Sequence, residues 1–138
     1  VRESTRAEVT YATALNRNQD LFFNHGMQRD IPRLLLAPDE KVLLVVPGTA
    51  GEYPNVMVVT DRRVMLTQVA GPVKRAKLKR EIPAQQVASV SYRPGIFTRI
   101  AVHPHQGRPL RIMPHRKTNG ERFVLAFEHL LRTGNLPS

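Results

Sequence analysis

A chain of 138 residues has room for one domain around one hydrophobic core. No apolar run approaches the roughly 18 residues a membrane-spanning helix requires, and the absence of cysteine excludes disulfides and thiolate metal sites. The net charge of +10 is unevenly spread: residues 1–40 carry five basic and six acidic side chains, residues 41–138 sixteen and five. A field of this size attracts polyanions or acidic surfaces.

In chain order, Thr5 to Phe23 has few β-branched residues and neither Pro nor Gly. Tyr11, Leu15 and Phe22, with Ala14 nearby, predict a helix with a modest apolar stripe, stopped at His25-Gly26. A short second helix is predicted from Pro32 to Ala37, ended by Pro38.

After residue 40, Pro and Gly punctuate segments of strand length. Strands are predicted at Lys41–Val46, Asn55–Thr60, Arg63–Ala70, Lys77–Ile82, Gln86–Arg93, Ile96–His103 and Leu110–Pro114. In the fifth, Val87, Ser89 and Ser91 are expected on one face and Ala88, Val90 and Tyr92 on the other. In the sixth, Ile96, Thr98, Ile100 and Val102 alternate with Phe97, Arg99, Ala101 and His103. The short connections require antiparallel pairing, as a sandwich or open barrel.

The chain closes with a one-sided helix on Phe123, Phe127, Leu130 and Leu131. Thr118 and Glu121 match a capping box, and Gly134 stands where a left-handed C-terminal cap is expected. A single apolar stripe means that this helix covers an opening in the β-structure.

Four short motifs recur in a recognisable order. They are Leu35-Leu36-Ala37-Pro38-Asp39-Glu40-Lys41-Val42-Leu43, Val58-Val59-Thr60-Asp61-Arg62-Arg63-Val64-Met65-Leu66, Glu81-Ile82-Pro83, and Val87-Ala88-Ser89-Val90. With the closing helix, Leu34–Leu131 resembles the bacterial pleckstrin-homology-like domains, a group also similar to the GRAM domains. The resemblance implies a mainly β (α+β) fold: a seven-stranded, strongly bent antiparallel sheet or open barrel capped by the C-terminal helix. Residues 34–134 would form this domain and residues 1–33 an N-terminal helical extension, packed on the sheet or on a second copy. The chain lacks the Trp that many relatives carry in the closing helix, so Phe123 or Phe127 must fill its space. The loop Pro47–Pro54 has no base and one acid, so the headgroup binding of eukaryotic relatives does not carry over to it.

The densest basic stretch is Lys74, Arg75, Lys77, Lys79 and Arg80. With Lys77, Lys79 and Glu81 on one face, and Leu78 and Ile82 turned to the core, these cations would converge on an anionic ligand. Lysines also protect an edge strand from unwanted pairing. Arg108 and Arg111 extend the predicted ligand-binding basic patch. Arg62 and Arg63 are expected to serve their own turn, with Asp61 as a local partner, and Asp39-Glu40 to form a structural entrance to the first strand. His103-Pro104-His105 and His115 lack the ligand set of a zinc site and are read as lining an exposed turn.

No nucleophile elbow, phosphate-binding glycine loop or metalloprotease helix is present, so no catalytic residue, metal or cofactor is assigned. The expected function is a non-catalytic binding or assembly module whose basic surface meets an acidic protein partner or a second copy. Peripheral binding to anionic membrane lipids is the alternative. Nucleic acid is disfavoured by the scarcity of aromatics for base stacking. A cytoplasmic location is expected, including a peripheral one at the inner membrane face.

Overall fold

The computed structural model describes residues 5–18, 31–50, 53–68, 77–96, 98–114 and 116–134, with the backbone alone for residues 15–18. Helix α1 (Arg6–Asn18) is followed by a π-helical turn (Ile31–Leu35) where an ordinary short helix is predicted. Seven strands follow: β1 (Val42–Ala50), β2 (Tyr53–Thr60), β3 (Arg63–Gln68), β4 (Lys77–Pro83), β5 (Val87–Arg93), β6 (Arg99–Pro104) and β7 (Leu110–Pro114). Helix α2 (Lys117–Thr133) closes the chain. All strand pairs are antiparallel, in the order β4-β3-β2-β1-β7-β6-β5. The sheet is curled around α2, so β4 and β5 form its two edges.

One apolar cluster fills the inside of the curl. Met57, Val59, Val64, Leu66 and Ile82 from one half meet Val87, Val90, Ile100, Val102, Leu110 and Ile112 from the other, beneath Phe123, Val124 and Phe127 of α2. The two Phe rings meet edge to face at 5.8 Å, an arrangement that favours aromatic pairs beyond their buried area.

A second cluster lies on the opposite face of β1–β3. There Val45, Val56, Val58 and Met65 pack against Ala7, Tyr11 and Ala14 of α1, with Ile31 and Leu36 alongside. The predicted helical stripe therefore packs on the sheet. The Leu15 side chain, Phe22 and the expected stop at His25-Gly26 fall outside the described residues. Strands β2 and β3 are buried on both faces, which is why Val56–Thr60 is buried without alternation. Strands β5–β7 are covered on the inside only, so their outer face alternates into water.

Several local expectations are corrected. The capping box forms at the other end of the molecule. Thr5 Oγ1 accepts the Glu8 N–H at 3.1 Å, while Glu8 reaches back to the Thr5 hydroxyl at 3.3 Å. Helix α2 starts two residues earlier than its predicted cap, from Arg116, with no side-chain cap bond. Thr118 is thus already helical. Gly134 does adopt the left-handed conformation (φ 80°), and its N–H reaches Leu130 O at 2.8 Å. Leu131 is 40 % exposed rather than part of the buried stripe.

Pro47 and Gly48, predicted in a loop, lie inside β1. Strand β1 belongs to both halves of the sheet, pairing with β2 along its length and with β7 only at Gly48 and Thr49. Pro47 therefore sits where β1 has β2 alone as neighbour, a position that tolerates the missing N–H. A Cβ on Gly48 would overlap the Met113 carbonyl. Only glycine permits this close crossing.

Two bulges overturn the face assignments. In β5 the pairing skips from Val87 to Ser89, placing Val87 in the core with Val90. In β4 it skips Lys79, so Leu78 packs on the α1 side while Ile82 enters the inner core. One extra residue reverses the alternation beyond it. Ile96, predicted to begin a strand, is in the β5–β6 turn and 92 % exposed.

Candidate functional site

The register of β5–β7 builds a basic depression on the bare outer face. Arg93 faces Arg99, Ser91 faces Ala101 and Ser89 faces His103. Ala101 in turn faces Arg111 on β7. Ser91, Arg93, Arg99, Ala101, His103 and Arg111 line a concavity of about 190 Å³. Ala101 is the smallest of these side chains, and it leaves the space that the longer ones surround. Ser91 Oγ and His103 Nε2 are 2.9 Å apart. Among the described residues, no carboxylate lies within ion-pair distance of Arg93, Arg99 or Arg111.

The other arginine cluster is neutralised. Arg63 donates to Glu40 Oε1 and Oε2, to Glu81 at 2.6 Å and to Leu35 O at 2.8 Å. Glu40 is 1 % exposed and also accepts from the Thr60 hydroxyl (2.6 Å) and the Ala37 N–H (3.1 Å). Burial opposes its ionisation, but the bonds from Arg63, Thr60 and Ala37 outweigh burial and hold the carboxyl below the usual glutamate range. Arg62 pairs with Asp39 at 2.7 Å, and Asp61 accepts the Lys41 N–H. These groups lock the β2–β3 turn to the entrance of β1, a structural role.

The described residues of the predicted basic patch lie on β4, the β6–β7 loop and β7. Lys74 and Arg75 lie outside the described residues. Lys77 and Lys79 are exposed on the edge strand β4. Arg80 is tied down, donating to the carbonyl oxygens of Arg108 (2.8 Å) and Pro109 (2.9 Å), and so joins β4 to the β6–β7 loop. The Arg108 side chain is exposed in that loop, and among the described residues of the predicted set Arg111 alone lines the depression. Arg93 and Arg99 were missed. They flank the Pro94-Gly95 turn, and folding the sequence about that turn would have paired them.

His103 is on β6, half-buried against Ser91, and does not line a turn as expected; His105 begins the loop, and His115 is outside the described residues. Among the described residues, no three His, Asp or Glu side chains converge as metal ligands. No carboxylate among them orients the His103 ring. The arrangement offers hydrogen-bond donors and positive charge to an oxyanion.

A seven-stranded antiparallel sheet curled about one C-terminal helix defines a mainly β, pleckstrin-homology-like domain, a class that generally serves in binding. The chain belongs to the Bacterial PH domain family, whose match spans residues 36–125. It is also similar to the crystal structure of a pleckstrin homology domain from Shewanella amazonensis SB2B. The two share 18% identity over 75% of this chain and 98% of that one, with a TM-score of 0.47. None of the curated proteins matches. No helix among the described residues is long and apolar enough to cross a membrane.

Proposed function

We propose that this chain is a non-catalytic binding module, cytoplasmic in location, that engages an acidic protein partner through the bare outer face of β5–β7. The observation that carries this reading is the gathering of Arg93, Arg99 and Arg111 around one depression with no carboxylate among the described residues to neutralise them. Like charges on facing strands oppose pairing, and a partner's acidic groups would relieve that repulsion. Complementary charge of this kind mainly sets specificity and association rate.

The test is a fluorescence-anisotropy titration with a labelled Asp/Glu-rich peptide. The intact chain should bind, with affinity falling as salt rises. Replacing Arg93, Arg99 and Arg111 together by Gln should weaken binding by about tenfold or more, the equivalent of losing roughly 1.4 kcal/mol. Unchanged affinity in the triple variant would overturn the assignment.

A second reading, peripheral attachment to anionic membranes, draws on Ile96. It is 92 % exposed in the turn between Arg93 and Arg99. Burying one such side chain yields only about 1.5–3 kcal/mol, so this reading needs the basic face as well. Flotation with phosphatidylserine-containing vesicles against neutral ones separates the two.

A further inference from the structure

We infer that the depression on β5–β7 recognises a phosphate monoester carried by a protein side chain. This rests on the acidic-partner reading above and narrows it. The first ground is charge. Three arginines line one concavity, and Arg93 stands directly opposite Arg99 in the β5–β6 register. A carboxylate brings a single negative charge, which leaves most of that repulsion in place. A phosphate monoester brings about −1.5 to −2 near neutral pH, with three terminal oxygens to share among the donors.

The second ground is the donor set. Arginine forks match phosphate oxygens in pairs, through short, charge-assisted bonds. Ser91, paired with His103, adds a hydroxyl to the lining. When the His103 Nε2 carries the proton, it donates to Ser91 Oγ at 2.9 Å. The Ser91 O–H is then free to donate to a ligand oxygen. None of the residues that line the concavity is a carboxylate.

The third ground is size. At about 190 Å³ the concavity is smaller than the roughly 300–1,000 Å³ of sites that enclose whole small ligands. It suits one functional group projected from a larger molecule. The phosphates of common anionic bilayer lipids are diesters with one charge each, so they leave the same excess of positive charge as a carboxylate does. A phosphorylated serine or threonine supplies the missing charge on a short, single-residue stem.

The experiment uses the full chain and three fluorescein-labelled peptides that differ only at a central phosphoserine, glutamate or serine. Anisotropy should show the phosphoserine peptide binding about tenfold or more tighter than the glutamate peptide. Inorganic phosphate should compete with it. Arg111→Gln and Arg99→Gln should each reduce the phosphoserine peptide to the glutamate level. Arg108→Gln, which removes the same charge from the loop outside the depression, should leave the preference intact. Ala101→Leu fills the depression without changing charge and should also abolish the preference, with folding checked by circular dichroism.

Equal affinity for phosphoserine and glutamate peptides overturns the phosphate inference and leaves the acidic-partner reading standing. An effect of Arg108→Gln as large as that of Arg111→Gln overturns it too, because bulk charge would then explain the binding. Absence of binding to every peptide sinks both readings. If phosphatidylserine vesicles are then bound, the membrane reading takes their place.

Discussion

The Arg63 guanidinium grips both carboxylate oxygens of Glu40, with Nε to Oε2 at 3.1 Å and Nη2 to Oε1 at 3.0 Å. Glu40 is buried and Arg63 is partly so. Removing one partner of such a pair strands the other. Glu40→Ala should therefore destabilise the domain by about 3–5 kcal/mol. Glu40→Gln keeps some of the hydrogen bonds and should cost less. Urea unfolding of both variants checks the order, and equal stability of Glu40→Ala and the parent would refute the structural role given to the pair.

The same carboxyl sets an acid limit. Its pKa in the folded state lies below that of the unfolded chain, so on acidification the unfolded state takes up the proton first. The stabilisation is present above the unfolded value and is lost as pH falls through the folded one. Urea midpoints should thus decline below the ordinary glutamate range. Glu40→Gln, which has no proton to bind there, should show a shallower decline over the same span.

Gly48 sits where β1 leaves one half of the sheet for the other, against the Met113 carbonyl. Gly48→Ala should cost roughly 1–3 kcal/mol, the usual penalty for forcing atoms into filled space. Amide exchange offers a local readout: protection should drop first at Thr49 and Met113. A variant with parental exchange rates there would show that the crossing is looser than described.

Tyr11 presents a buried hydroxyl with no hydrogen-bond partner among the described residues, and burial pushes its pKa upward. An unsatisfied buried hydroxyl is unfavourable. Tyr11→Phe removes the oxygen while keeping the ring against Val45 and Met65, and should stabilise the protein by about 1 kcal/mol. Thermal melts compare the two directly, and a clear loss of stability would mean that the hydroxyl has a partner.

The family, the strand count and the closing helix were legible in the sequence because each depends on patterns several residues long. On β6, Ile100 and Val102 alternate with Arg99, Ala101 and His103 as expected. The errors concentrate where one residue alters everything beyond it. Lys79 in β4 and Ala88 in β5 are bulged, and nothing in their side chains announces it. Pro47-Gly48 carries the usual signature of a turn, yet β1 runs through it. The depression was hidden for a different reason. Arg93, Arg99 and Arg111 come from three strands, and only the register brings them together. The densest basic stretch along the chain is Lys74–Arg80, where Arg80 serves the fold.

Helix α1 gives the domain a sealed back and an open front. Family likeness starts at residue 36, yet Ala7, Tyr11 and Ala14 complete a hydrophobic layer behind β1–β3. A fragment trimmed to the shared segment would uncover Val45, Val56, Val58 and Met65 together and turn that side adhesive. A fragment that begins at residue 36 is therefore expected to aggregate more readily than one that keeps helix α1.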